Sequence, residues 1–114
     1  MTASMTFPFR PIAKERPRAP KYGGASYTPP RTKRFEKMVR EEWSLRSGVF
    51  TSGPVEVEIY LRHDSFDVIV APSHWGDKSA LRGDVDNYVK AILDGLNGLA
   101  FEDDRLVRKL LVTK

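Results

Sequence analysis

The chain has 114 residues, 40% of them apolar and 30% charged, with a net charge of +4 and no cysteine. That is enough for a single domain with one modest core, and the balance is globular rather than disordered. It excludes disulfides and thiolate metal sites, and no apolar run approaches the roughly 18 residues of a membrane span. Met1 to Phe9 does not resemble a signal peptide, so a cytoplasmic location is expected. The charge is unevenly spread: residues 1–46 hold eleven Lys/Arg against four Asp/Glu, and residues 47–114 hold eight against eleven. Such a split suggests a basic arm or face for polyanions beside an acidic pocket; the alternative is a solvated basic surface.

In chain order, Met5, Phe7 and Phe9 alternate with polar residues and predict a first short strand, which Pro8 places at a sheet edge. Residues 10–30 read as a proline-stiffened loop carrying Arg10, Lys14, Arg16, Arg18 and Lys21. Thr28 or Thr32 is the expected cap of a helix over about residues 31–46, with Phe35, Met38, Val39 and Trp43 as its apolar stripe. Arg31, Lys33, Arg34, Lys37 and Arg40 occupy the rest of its front half. Val55, Val57, Ile59 and Leu61 alternate with Glu56, Glu58, Tyr60 and Arg62 and predict a strand with one core face and one wet face. Residues 66–71 fit either a short strand or a packed loop, and residues 72–82 read as loop. From Asp84 the period becomes helical: Val85, Tyr88, Val89, Ile92, Leu93 and Leu96 form one stripe, stopped by Asn97-Gly98. Leu106 to Thr113 is rich enough in Leu and Val for a largely buried strand. The expected fold class is therefore α+β: a small mixed sheet with two helices, in the order strand, helix, strand, helix, strand.

The most informative stretch is Arg82-Gly83-Asp84-Val85-Asp86-Asn87 with Lys90, Asp94 and Glu102-Asp103-Asp104. It sets five aspartates within residues 84–104 of a net-positive protein. Two carboxylates about 4 Å apart repel by about 4 kcal/mol at an effective dielectric near 20, so something positive must offset such crowding. On a helix, residues i and i+2 project to opposite sides; Asp84 and Asp86 converge only if Asp84 is pre-helical and Asp86 lies in the first turn. Asp86, Lys90 and Asp94 then follow one another on the polar face. Lys90 is suited either to neutralise an extra carboxylate or to hold a scissile phosphate. Three carboxylates with a lysine suit hard, oxygen-seeking ions, Mg²⁺ or Mn²⁺, in phosphodiester chemistry. A second reading stays open, in which Asp84 and Asp86 are helix-start acids and the rest are surface ion pairs.

Other chemistry is poorly supported. His63 and His74 share no helical or strand frame, and Gly23-Gly24 lacks the Gly-Lys-Ser/Thr of a phosphate-binding loop, so no nucleotide cofactor is expected. No nucleophile elbow is present. Trp43 reads as core, and Trp75 as a surface anchor or a base-stacking residue.

At these residues the chain resembles the RusA-like family of Holliday junction resolvases, which are associated with phages. The match lies in Arg82 to Asn87 with Lys90, Asp94 and Leu96; in Asp103-Asp104 with Val107 and Val112-Thr113-Lys114; and in Pro8, Pro11, Lys14, Arg16, Pro17, Arg18, Tyr27-Thr28-Pro29 and Thr32. The resemblance implies one RusA-like domain over residues 1–114, with a strand and basic loop in 1–30 and the catalytic segment in 82–104. It implies a homodimeric, Mg²⁺-dependent endodeoxyribonuclease that resolves four-way DNA junctions by paired nicks. Asp84, Asp86 and Asp104 are then the metal-binding acids and Lys90 the catalytic lysine, with Asp103 the less favoured of its pair. Lys14, Arg16, Arg18, Lys21, Arg31, Lys33, Arg34 and Arg82 are the DNA-binding candidates. Gly83 departs from the family pattern, where many members carry Pro or Arg. Two competitors remain: a DNA-binding protein that does not cleave, and a nuclease acting on flaps or other branched DNA.

Overall fold

The structure, a computed structural model, describes residues 2–14, 23–73 and 80–114. The elements are strand β1 (Ala3–Phe7), helix α1 (Pro30–Arg46), strands β2 (Val55–Leu61) and β3 (Phe66–Pro72), helix α2 (Val85–Leu96), and a 3₁₀ turn at Asp104–Leu106. They fall into two compact units, Met1–Asp77 and Lys78–Lys114.

The first unit is a three-stranded sheet in the order β1-β3-β2, antiparallel throughout, with α1 beside β1. β1 is an edge, as Pro8 requires, and the strand stops one residue before it. Its alternation is strict: Ala3, Met5 and Phe7 are buried while Ser4 and Thr6 are exposed. Phe7 sits opposite Phe66 in the register, and the two rings stack at 4.6 Å. Phe9 lies beyond the strand but still meets the Phe66 ring edge-on at 5.4 Å and the Phe35 ring at 5.7 Å. Each such aromatic pair contributes about 0.5–1.5 kcal/mol beyond its buried area. Phe35, Val39 and Trp43 of α1 close this cluster, and the Trp43 indole donates to Val49 O at 2.9 Å. Trp43 is half-buried and packs against the core, on the side its place in the helical stripe predicts. Between α1 and the sheet lies an open groove of about 360 Å³ lined by Phe7, Val39, Trp43, Val68 and Val70, without acids that would give it metal or proton chemistry.

Helix α1 begins with Pro30 at its first position, and its N-cap residue is Pro29, whose side chain makes no cap bond. This corrects the expected Thr28 or Thr32 cap: Thr32 lies inside the helix and is buried. A proline in the first turn loses nothing, because the N–H it lacks would have no helical partner. At the other end Gly48 takes a left-handed φ of +65°, and its N–H closes on Trp43 O at 2.7 Å. Arg46 ties the end of the helix to the sheet by donating to Thr6 O at 3.1 Å.

Two further expectations are overturned. The sheet is antiparallel, not mixed, and the element order is β-α-β-β-α: residues 66–72 are the central strand, whereas residues 107–114 form no strand. A central strand is paired on both sides, so its apolar run need not alternate. A strand needs a partner edge, and the Arg108-Lys109 pair interrupts the apolar pattern of the last segment, whose Leu110 and Leu111 are exposed. Likewise Val55, Val57, Ile59 and Leu61 do lie on the same face of the sheet as Phe66, Val68 and Val70, but they are 42–68% exposed rather than core. β2 is the far edge from β1, beyond the aromatic cluster that α1 covers.

The opposite face of the sheet carries Ser4, Thr6, Glu56, Glu58 and Asp67 beside Ile69 and Ala71. Asp67 accepts from Thr6 Oγ1 at 2.7 Å and from both terminal nitrogens of Arg62 at 2.7 and 2.9 Å. Those donors, Arg62 first, hold its carboxyl down at about 2.

Candidate active site

The second unit carries the acidic segment. α2 runs from Val85 to Leu96, as the period predicts, and ends where Gly98 turns left-handed with φ +80°. Asn97 itself is extended, so only the glycine of the expected pair supplies that conformation. Asp84 is the residue before the helix, with extended φ −66° and ψ 142°, and Asp86 is in the first turn. This is the backbone arrangement that lets two carboxylates two residues apart approach one side.

An aspartate in Asp84's position ordinarily accepts a hydrogen bond from the first-turn N–H groups. Asp84 makes no such bond with its side chain. Its main-chain carbonyl takes that role, accepting from Asn87 N at 3.1 Å and Tyr88 N at 3.3 Å. Among the described residues no hydrogen bond or ion pair engages the Asp84 or Asp86 carboxylate. The helix-cap reading of Asp84 therefore lacks its bond, and both carboxylates are exposed at the start of the helix.

Two of the neighbouring acids, Asp94 and Asp103, have partners. Asp103 accepts from Arg105 N at 2.9 Å and caps the 3₁₀ turn, and that bond leads the effects that hold its carboxyl below the ordinary value. Asp104 opens the turn. Lys90 Nζ lies 3.5 Å from Asp94 on the exposed face of α2. A surface pair one helical turn apart contributes only about 0.3–0.5 kcal/mol, so Lys90 is easily drawn to a stronger anion.

The segment just before Asp84 is held from two sides. Gly83 N–H donates to the Tyr88 hydroxyl at 3.1 Å, and Lys114 Nζ donates to Gly83 O at 3.0 Å. Periodicity assigned Tyr88 to the apolar stripe only; the visible signal was a residue with a polar tip five positions after a glycine.

Of the residues expected to make a metal site, Asp84 and Asp86 share the start of α2, while Asp104 follows the turn at the helix's other end. Among the described residues no three acids or histidines are gathered tightly enough to hold a metal ion by themselves. The donor chemistry nevertheless fits Mg²⁺, which keeps several waters and takes one or two carboxylates together with substrate phosphate. His63 is exposed and meets Asp64 at 2.9 Å, and His74 lies outside the described residues, as does Trp75.

Of the DNA-binding candidates, Arg31, Lys33 and Arg34 are exposed in the opening turns of α1, where no acid is present. Cations at a helix N-terminus oppose the macrodipole, at about 0.3–1 kcal/mol each. Lys14 lies 3.6 Å from Glu36, Arg82 is exposed, and Arg16, Arg18 and Lys21 lie outside the described residues. Among those residues, no helix is long and apolar enough to cross a membrane.

Neither the curated proteins nor the solved structures give a significant match. A family model described as Endodeoxyribonuclease RusA matches residues 8–114, which takes in β2, β3, both helices and the whole acidic segment. The chain belongs to the RusA endodeoxyribonuclease family.

Proposed function

We propose that this protein is a Mg²⁺-dependent endodeoxyribonuclease that binds four-way DNA junctions and resolves them by paired nicks, acting as a homodimer. The observation that carries the reading is the pair Asp84 and Asp86, two carboxylates without structural partners at one helix start inside a nuclease-family match. Asp84 and Asp86, with Asp104, would hold the ion; Mn²⁺ would serve in its place. When bound, the ion supplies Lewis-acid polarisation of the phosphate and a more acidic water. Lys90, released from Asp94, stabilises the negative charge that grows on the phosphate as the bond is broken. Arg31, Lys33 and Arg34 track the sugar-phosphate backbone, and the electrostatic cost of placing them at the start of α1 is recovered when phosphates arrive. Lys14, Arg16, Arg18, Lys21 and Arg82 extend that basic surface. Two nicks related by the two-fold axis of a junction require two equivalent sites, which a symmetric dimer provides.

The test is cleavage of mobile and immobile four-way junctions with Mg²⁺ and with EDTA, beside flap, linear duplex and single-stranded controls. Paired, symmetric nicks confined to junctions and abolished by EDTA support the reading. Equal cleavage of flaps moves the protein to a broader branched-DNA nuclease, and tight junction binding with no nicking under any metal makes it a binding protein. Sedimentation alone and with a junction tests assembly, because a strict monomer that binds one-to-one contradicts paired nicking.

A further inference from the structure

We propose that Tyr88 is a positioning residue for the acidic site, clamping the backbone that presents Asp84, with Lys114 as its counterpart on the other side. This rests on the reading of Asp84 as a metal ligand. Two peptide groups lead into Asp84. The first, between Arg82 and Gly83, gives its N–H to the Tyr88 hydroxyl at 3.1 Å. The second, between Gly83 and Asp84, gives its carbonyl to Lys114 Nζ at 3.0 Å. The Asp84 carbonyl itself is held by the ordinary first bond of the helix, from Tyr88 N at 3.3 Å. What the Tyr88 side chain adds is the hold on the peptide before Gly83.

The same arrangement explains Gly83. Its φ is not in the left-handed region, so backbone freedom is not what demands glycine. Space is: a Cβ there would lie 2.9 Å from Tyr88 Cε2 and 3.0 Å from both Cζ and the hydroxyl oxygen. Any larger residue and the Tyr88 ring cannot both keep their places. The glycine and the tyrosine are one device, in which the ring stands where a side chain would otherwise be. Asp84 needs it because its carboxylate makes no cap bond that would orient it from the helix. A metal ligand whose supporting interactions are loosened loses affinity.

The experiment measures Mn²⁺ binding to the DNA-free full chain by calorimetry, alongside junction nicking and thermal unfolding. The variants are Gly83→Ala, Tyr88→Phe, Tyr88→Leu, the double variant Gly83→Ala with Tyr88→Leu, and Lys114→Met. Gly83→Ala is expected to weaken Mn²⁺ binding about tenfold, the scale at which supporting residues act on metal sites. Tyr88→Phe keeps the ring but removes the hydroxyl acceptor, and loses about fivefold. Lys114→Met loses a similar or smaller factor. In the Tyr88→Leu background the ring is gone, so adding Gly83→Ala costs less than about twofold further. A purely structural role for Tyr88 would shift the melting temperature without this rescue. The proposal is overturned if Gly83→Ala and Tyr88→Phe bind Mn²⁺ as the wild type does, or if Gly83→Ala costs the same in both backgrounds. A wild-type chain that binds no Mn²⁺ overturns the metal reading alone. The Gly83 amide proton then decides the clamp by NMR: faster exchange in Tyr88→Phe upholds it, and unchanged exchange overturns it.

Discussion

Asp67 on β3 and Asp84 before α2 are the same side chain in contrasting circumstances. Asp67 is saturated: a threonine hydroxyl and a two-pronged arginine fill its lone pairs and favour its charged form down to about 2. Asp84 stands two residues from a second carboxylate, with neither of them engaged by a described neighbour. An acid drawn into the sheet surface needs such partners, whereas Asp84 and Asp86 are exposed and are solvated by water. The contrast is between an acid tied into the sheet and two solvated acids at a helix start, which on the proposed reading are the ones available to a metal.

Exchanging each acid for its amide puts this contrast under the greatest strain. Asp84→Asn or Asp86→Asn is expected to abolish nicking, leave junction affinity within a few-fold and leave the melting temperature almost unmoved. Asp67→Asn should do the reverse, with wild-type nicking and a lowered melting temperature. An Asp86→Asn protein that unfolds early would move Asp86 into the same class as Asp67. Next in size, Lys90→Ala should slow nicking by about 10²–10³-fold, the usual effect of removing one electrostatic stabiliser of a transition state, while junction affinity barely changes. Asp94→Ala, which only frees Lys90 from its surface partner, should cost far less; an equal effect would make the pair, not the lysine, the functional unit. Replacing Arg31 and Arg34 together by Gln should flatten the log–log salt dependence of junction binding by about 1–2, at about 0.9 for each phosphate no longer neutralised. An unchanged slope would make the start of α1 ordinary surface.

The smallest effect concerns pH. Asp67's carboxyl is depressed from 3.8 to about 2, so its contribution to stability is complete above the unfolded value and disappears as pH falls through that interval. Urea unfolding between pH 4 and pH 2 should show the wild type losing stability more steeply than Asp67→Asn. Parallel curves would show that Arg62 and Thr6 do not engage Asp67 in solution.

Local pattern carried much of the fold. The 3.6-residue period located α2 between Asp84 and Asn97-Gly98, and the structure meets the condition set for converging carboxylates, with Asp84 before the helix and Asp86 in its first turn. β1, α1 and β2 were legible for the same reason, since alternation and helical stripes record how a single element faces a core. What failed depends on partners that lie elsewhere in the chain. The run Phe66 to Ala71 did not declare itself as the central strand, because residues paired on both sides lose the alternation that marks a strand. Leu106 to Thr113 has strand-like composition, but Arg108-Lys109 breaks its apolar run and residues 107–114 form no strand. Val55, Val57, Ile59 and Leu61 alternate correctly, yet alternation says nothing about how far α1 reaches across the sheet. In the site, the charged residues and the helical spacing that pairs Lys90 with Asp94 were visible in the sequence, whereas the Asp103 cap and the bond from Gly83 to the Tyr88 hydroxyl emerge only when side chains have positions.

Whether Asp84 and Asp86 are kept for a metal is decided by anomalous scattering from crystals of the protein soaked in Mn²⁺, with and without a bound junction. The expected result is a peak within coordination distance of the Asp84 and Asp86 carboxylates, and none at Asp67. Mn²⁺ bound only elsewhere, with Asp84 and Asp86 facing solvent beside a correctly placed scissile phosphate, would contradict that assignment.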